Sequence, residues 1–467
     1  MLFSSISFLY YFLAAVLVIY FIVPFKFKNL VLLVTSLVFY FYGEPIYTLL
    51  MLAATLSSYI HGLLIDKFKG TKWAKVFLWS SVITSLAVLG FFKYSDFFIS
   101  NINSVLKTDI ALLGIALPIG ISFYTFQSLS YTIDVYRGEA KVQKSFIRLA
   151  TYVALFPQLI AGPIVRYTTV EEELSERTHS FENFSYGVTR FCIGLAKKVL
   201  LADTFAAFAI SIKGAEGVSV VGMWFYALAI FLQIYFDFSG YSDMAIGLGR
   251  IFGFHFLENF NYPLISKSAA EFWRRWHMSL GTWFRDYVYI PLGGNRVPKW
   301  RWLINTLIVW FLTGFWHGAD WTFIIWGVYF AIFLVLEKFA LKKFFDKIPA
   351  VFSHIYVAIV VFVSFVIFNA NGAAGILSDV GGMFGLTGIP FFTSDTAYYI
   401  SGYAFILIIG IIGATPIVKN AVLKIKESNI GCRIINVLEP IFVIAVLLVA
   451  TAYFVDGSFS PFLYFRF

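Results

Sequence analysis

Charge is scarce in this chain. Of its 467 residues only 13% are Asp, Glu, Lys or Arg, against about 25% in an ordinary soluble domain. With 60% hydrophobic and 20% aromatic residues and a mean hydropathy of +0.81, the apolar surface exceeds what one water-exposed core can hide. That excludes a soluble enzyme and makes lipid the solvent for most of the chain. Cysteine is nearly missing: Cys192 and Cys432 cannot build a disulfide framework or a thiolate metal site, and each reads as a small buried hydrophobe. There is no Gly-x-Ser-x-Gly nucleophile motif and no glycine-rich phosphate loop ending in Lys, so serine-triad catalysis is not indicated. Residues 1–25 carry no charge, so they lack the basic start and small-residue cleavage site of a signal peptide and read as a retained membrane span.

Apolar runs fill the rest. Uncharged stretches at 76–92, 110–133, 218–236, 355–378 and 396–418 match the roughly 17 to 25 residues that cross a bilayer. Shorter runs at 30–42, 46–60, 149–165, 199–212, 303–315, 321–336 and 440–455 read as spans or half-spans. The expectation is an all-α polytopic membrane protein with roughly 10–13 transmembrane or re-entrant helices. One integral-membrane domain covers 1–467, with a motif-bearing core at 110–336. Lys and Arg exceed Asp and Glu by 35 − 26 = 9, and the excess lies between apolar runs. That placement suits cytoplasmic juxtamembrane loops and not a nucleic-acid surface. Lys26 and Lys28, then Lys67, Lys69, Lys72 and Lys75, then Arg137, Lys141, Lys144 and Arg148 occupy alternate connections, which places the N-terminus outside. Lys338, Lys342, Lys343 and Lys347, and later Lys419, Lys424 and Lys426, mark further inside loops.

Polar groups at membrane depth cost several kcal/mol unless satisfied, so three clusters merit a functional reading. The first is Thr313-Gly-Phe-Trp-His-Gly-Ala-Asp-Trp321. The run 303–315 has 13 residues, roughly 20 Å of helix against a hydrocarbon core of about 30 Å, which puts His317 within the membrane or near its outer face. A neutral imidazole there, walled by Trp316 and Trp321, is placed to act as a general base; the alternative is a histidine that only fixes a helix turn.

The second cluster runs from Glu271 to Tyr287. Helical spacing puts Trp273, Trp276, Leu280, Trp283 and Tyr287 on one stripe and Arg274, His277, Gly281 and Arg285 on the next, an interfacial helix by pattern. It reads either as an aromatic belt with snorkelling arginines or as a site in which Arg274 and Arg275 hold a phosphate-bearing acyl donor and His277 has a polar role in the reaction chamber. The donor would be coenzyme A or a carrier-protein phosphopantetheine.

The third cluster, Gln233 to Asp243, places Asp237, Ser239 and Asp243 near the end of an uncharged span. Metal or proton handling is one reading; carboxylates that satisfy helix ends or pair with arginines is the other. No His or Cys shares the spacing, so no metal site is expected. The candidate catalytic pair is His317 and His277; Arg274, Arg275, Trp316, Trp321, Asp237, Ser239 and Asp243 are the candidate donor- or substrate-binding residues. His61, His179, His255 and His354 stand near charged loops or span ends and read as solvated or capping groups.

Six ordered runs carry a resemblance: LPIGISFYTFQ (117–127), DVYRG (134–138), AGPI (161–164), FDFSGYSDMAIG (236–247), FWRRWHMSLGTWFRDYVYIPLGG (272–294) and FWHGADWTFIIWG (315–327). Together they resemble the membrane-bound O-acyltransferase superfamily, and within it the bacterial branch of alginate O-acetylation membrane subunits and related polysaccharide acetylation proteins. Met278 and Gly281 stand where Ile and Ser are expected, which affects local packing only. The resemblance implies a helical fold around a central funnel, in a multi-pass protein of the cell membrane. It also implies that His317 is the essential histidine and His277 the second, polar-region one. The implied reaction carries acetyl from a cytoplasmic thioester, acetyl-CoA or acyl carrier phosphopantetheine, to a hydroxyl reached from outside, with no bound cofactor. The implied partners are the lipid bilayer, an extracytoplasmic acetyl-accepting protein and a polysaccharide acceptor, with no nucleic acid. A D-alanyl transferase using the same histidine, and a non-catalytic polysaccharide or solute transporter, are the rival readings.

Overall fold

The computed structural model describes residues 3–345 and 347–457; Met1 and Leu2, at the start of the first expected span, lie outside the described residues. The regular secondary structure of the described residues is helical, with no strand. In chain order the helices are α1 (Leu13–Ile22), α2 (Phe25–Gly43), α3 (Pro45–Lys67), α4 (Lys72–Leu106), α5 (Ile121–Arg137), α6 (Phe146–Ala154), α7 (Phe156–Leu159), α8 (Tyr167–Val170), α9 (Phe181–Ala196), α10 (Asp203–Lys213) and α11 (Val220–Ile251). They continue as α12 (Ala269–Arg275), α13 (Met278–Phe284), α14 (Lys299–His317), α15 (Trp321–Leu336), α16 (Lys342–Phe345), α17 (Ala350–Asn369), α18 (Gly372–Met383), α19 (Ser394–Gly413), α20 (Ile417–Lys426) and α21 (Asn429–Val455). Eight of the described helices, α2, α3, α4, α11, α15 with its π-helical extension Glu337–Leu341, α17, α19 and α21, are long and apolar enough to cross a bilayer. The protein is therefore an all-α, multi-pass membrane protein.

Two compact units divide the chain: Met1–Phe191 with Ser242–Leu257, and Cys192–Tyr241 with Glu258–Phe467. In the first unit, basic residues cluster in or beside the α1–α2, α3–α4 and α5–α6 connections, Lys26 and Lys28 standing in the first turn of α2. The last two of these connections share one end: the Tyr59 hydroxyl donates to the Lys144 carbonyl at 2.8 Å, and Lys69 Nζ approaches Gly138 closely. The break between α2 and α3 is a single residue, Glu44, because Pro45 fits only the first turn of a helix.

One expected span is different. The uncharged run 110–133 is not a continuous helix: 107–120 has no helical turn before α5 begins at Ile121. Pro118 disfavours helix in the residue before it, and Gly120 sits at φ 75°, where a Cβ would lie 2.7 Å from the Leu159 carbonyl oxygen.

The second unit is built on the α14–α15 hairpin. Gly314 and Gly327 bring the two helices into backbone contact: a Cβ on Gly314 would stand 2.3 Å from the Phe323 carbonyl oxygen, and one on Gly327 2.3 Å from that of Trp310. Small residues allow this close approach between membrane helices, where dispersion packing replaces the hydrophobic effect. Gly327→Val is expected to abolish folded protein, read as lost membrane yield and lost monodispersity in detergent. Gly402→Val, at an α19 position with nothing within 4 Å of a Cβ, is expected to leave both unchanged.

Candidate active site

His317 is the last residue of α14, which starts at Lys299 and not at the apolar run. Its 19 residues give roughly 28 Å of helix, close to the full hydrocarbon thickness. The helix stops where Gly318 turns extended (φ −169°), and Asp320 then caps α15 by accepting from the Thr322 amide and hydroxyl, both at 2.8 Å. The imidazole is 8% exposed. Aromatic rings surround it: Trp316 at 5.0 Å, Trp326 at 5.0 Å and Phe368 at 5.4 Å between ring centroids, all near edge-on. Sequence pattern singles out neither Trp326 nor Phe368. Trp321 opens α15 and is 54% exposed.

The single amphipathic helix expected over 271–287 is not formed. It breaks between α12 and α13 at His277, which takes a left-handed conformation (φ 44°, ψ 53°). Such a conformation costs a branched or ring side chain of order 1–3 kcal/mol unless its surroundings hold it. Here they do. Asn259 binds the break from a separate segment: its carbonyl accepts from the Met278 amide at 3.0 Å, and its Oδ1 accepts from the Ser279 amide at 3.1 Å and the Ser279 hydroxyl at 2.9 Å. The same Oδ1 stands 3.2 Å from His277 Nδ1. An amide oxygen only accepts, so Nδ1 carries the proton and Nε2 keeps a bare lone pair. Nε2 is buried and has no hydrogen-bond partner among the described residues.

His277 lies outside the apolar spans, and burial, followed by the nearby His317, holds its proton affinity well below the usual histidine value. The two histidines share Trp316, whose ring centroid lies 6.0 Å from that of His277 and 5.0 Å from that of His317. Phe238 closes on His277 at 4.7 Å, edge-on.

The break also redirects the tryptophans. Trp273 packs against Trp310 (4.8 Å), Trp326 (5.4 Å) and Phe330 (4.8 Å). Trp276 packs against Phe260 (5.1 Å) and Phe365 (5.0 Å). These rings line the protein interior, and the interfacial-belt reading does not hold for them. Arg274 is exposed at the end of α12, whereas Arg275 is engaged by Glu271 (2.9 Å) and the Asn261 carbonyl (3.1 Å). The start of α12 is fixed by Glu337, which accepts from the Ala269 and Ala270 amides.

The third cluster divides. Asp237 pairs with Lys198 at 2.9 Å, and the same ammonium meets Asp203 at 2.7 Å, all in the second unit. Asp243 belongs to the first unit and pairs with Arg190 at 2.6 Å. The alternative in which these carboxylates bind cations of the fold therefore describes their contacts, and the cation of Asp237 is a lysine. Ser239 Oγ is buried with no hydrogen-bond partner among the described residues. Lys198 escapes sequence reasoning; its only signal there is a Lys197-Lys198 pair within apolar surroundings.

The sequence profile described as the membrane-bound O-acyltransferase family matches residues 137–379, which takes in both histidines. A probable alginate O-acetylase of Azotobacter vinelandii is 43% identical over 79% of this chain and 75% of its own length. A probable alginate O-acetylase of Pseudomonas putida is 38% identical over the whole of both chains. A peptidoglycan O-acetyltransferase of Helicobacter pylori is 34% identical over 83% of this chain and 81% of its own. With relatives aligned from one end of the chain to the other and the profile spanning both sides of the buried histidine pair, this chain belongs to the membrane-bound O-acyltransferase family.

Proposed function

We propose that this chain is a membrane-bound O-acetyltransferase of a cell-envelope polysaccharide, in which His317 is the general base. The observation that carries the reading is the pair of buried histidines held about Trp316. The relatives, two called alginate O-acetylases and one a peptidoglycan O-acetyltransferase, support the acetyl group and the polymer class.

In this reaction an acceptor hydroxyl attacks the carbonyl of a thioester. A carbon–oxygen bond forms and the carbon–sulfur bond breaks. His317 takes the hydroxyl proton and returns it to the leaving thiolate, so the imidazole ends the cycle neutral. Trp316, Trp326 and Phe368 exclude water that would hydrolyse the donor. His277, with Nδ1 committed to Asn259, offers Nε2 to the acceptor hydroxyl and orients it.

The donor is acetyl-CoA or an acyl carrier phosphopantetheine, arriving from the cytoplasmic side. Its phosphate meets Arg274, exposed at the end of α12. The acceptor is a hydroxyl of an extracytoplasmic partner protein or of the polymer itself. Asp237 and Asp243 act indirectly, by pairing with Lys198 and Arg190 and so fixing helices, and not on the donor.

The test of the function is base-labile acetate released from the envelope and secreted polymer of cells lacking this protein, with and without wild-type complementation. Restored acetate is the expected result; restored D-alanine ester, or no change in any ester, overturns the reading. Arg274→Ala is expected to raise the donor KM about 10-fold with little change in kcat, as loss of one charge-assisted contact does. Thioester titration of membranes containing the variant measures it.

A further inference from the structure

A second polar site lies in the first unit, within the stretch formed by 1–191 and 242–257 and separate in sequence from the histidine pair. A cavity of about 390 Å³ opens where α1 ends, α9 begins and α11 ends, walled by Phe21, Phe181 and Phe184 and carrying His179, Ser180 and Arg250. We propose that this cavity binds the headgroup of an anionic, hydroxyl-bearing phospholipid from the inner leaflet.

Each polar group has a defined role. Arg250 forms no ion pair among the described residues; its guanidinium lies 5.5 Å from the Tyr186 ring, leaving its donors for a phosphate. Ser180 Oγ accepts from the Asn183 amide at 3.1 Å, so its own hydrogen is available to the same phosphate. His179 differs. The Tyr20 hydroxyl donates to the Phe252 carbonyl at 2.7 Å, so the His179 Nε2 at 2.8 Å from that hydroxyl must be the donor, which leaves Nδ1 as a bare acceptor. Burial, then Lys28 and Arg177, push His179 down to about 4, which keeps the ring neutral. A neutral acceptor beside an arginine does not match a bare phosphate, but it matches a phosphate whose ester partner carries a hydroxyl.

The surroundings favour lipid over a soluble ligand. Phe181 is 86% exposed and Phe21, on the apolar α1, is 42% exposed, so the rim on which an acyl chain would lie is already apolar. Lys26 and Lys28 follow α1 directly, which assigns this end to the inner leaflet, where anionic lipids are enriched. Lys28 Nζ stands 5.1 Å from the Phe21 ring and Arg177 donates to Tyr20 at 3.0 Å, so the field around the cavity is positive. Glu182, in the first turn of α9, does not line it.

The experiment uses the full chain in phosphatidylcholine nanodiscs, titrated with phosphatidylglycerol and followed by thermal unfolding and by native mass spectrometry of retained lipid. Wild type is expected to retain one phosphatidylglycerol and to melt higher with it. Arg250→Gln is expected to weaken that binding by about 10-fold or more, while Arg250→Lys keeps most of it. Phe181→Ser, on the exposed rim, is expected to weaken it without changing the melting temperature in phosphatidylcholine alone, so the result does not depend on Arg250→Gln folding. Equal retention by wild type, Arg250→Gln and Phe181→Ser overturns the proposal. So does protection of wild type by coenzyme A or inorganic phosphate equal to that given by phosphatidylglycerol.

Discussion

His317→Ala is expected to lower acetate transfer by about 10²–10⁴-fold, the range that a positioned general base supplies, while the protein accumulates in the membrane at the wild-type level. The ring is 8% exposed and ends α14 beside Trp316, Trp326 and Phe368. Removing it leaves a small cavity lined by aromatic rings, not a stranded charge, so the loss falls on chemistry more than on folding. His317→Gln separates the two effects further: it keeps a polar side chain of similar reach but cannot carry the proton. Complementation of a deletion strain with each variant, scored as base-labile acetate per unit of membrane protein, is the measurement. Wild-type acetate from His317→Gln would falsify the general-base role.

The second large effect concerns Asn259. Asn259→Leu removes the acceptor that fixes the His277 tautomer and anchors Ser279, and a left-handed histidine loses the side-chain contacts that hold it there. Transfer is expected to fall by about 10- to 100-fold, the usual size for loss of an orienting partner. A structural role alone predicts the same fall, so the discriminating variant is Asn259→Asp. Its carboxylate still accepts from Nδ1–H but favours the imidazolium, which moves the acid limb of kcat/KM to higher pH. The sign follows from the wild type, where burial and His317 lower the proton affinity of His277; acid inactivation through this residue lies below the ordinary histidine value of about 6.5. A profile measured from pH 5 to pH 8 that does not move in Asn259→Asp removes His277 from the reaction.

Protein stability follows the same linkage. His277 and His179 both have lowered folded-state values, so the stability they contribute is present above about 6.5 and is lost as the pH falls, when the unfolded chain takes up protons that the buried rings refuse.

Much of the site is legible in the residues alone. His317 stands out because a polar group at membrane depth is costly unless it is used or satisfied, and His277 and Arg274 are singled out as a second polar cluster, whose donor-binding role is the proposal made above. The break at His277 is not legible. Trp273, Trp276, Leu280 and Trp283 keep helical spacing across it, and the residue that holds the break, Asn259, lies in a separate segment and reaches back through its backbone and side chain. Trp326 is hidden for a related reason. Periodicity makes it one apolar residue among many in α15, and it reaches His317 only because Gly314 and Gly327 allow α14 and α15 to touch backbone to backbone. Asp237 and Asp243 look alike in sequence and have different partners, Lys198 and Arg190.

The solvent of this protein, its helical secondary structure and the basic ends of its helices all follow from the order of its residues. Each of these depends on a residue's own partition between water and lipid or on neighbours within a turn or two. Packing alone settles which rings enclose His317, which nitrogen of His277 holds its proton and which cation neutralises each carboxylate. Those outcomes depend on partners supplied by other segments of the chain, and inside a membrane protein a buried polar group is satisfied by whichever distant donor or acceptor the fold brings within about 3 Å.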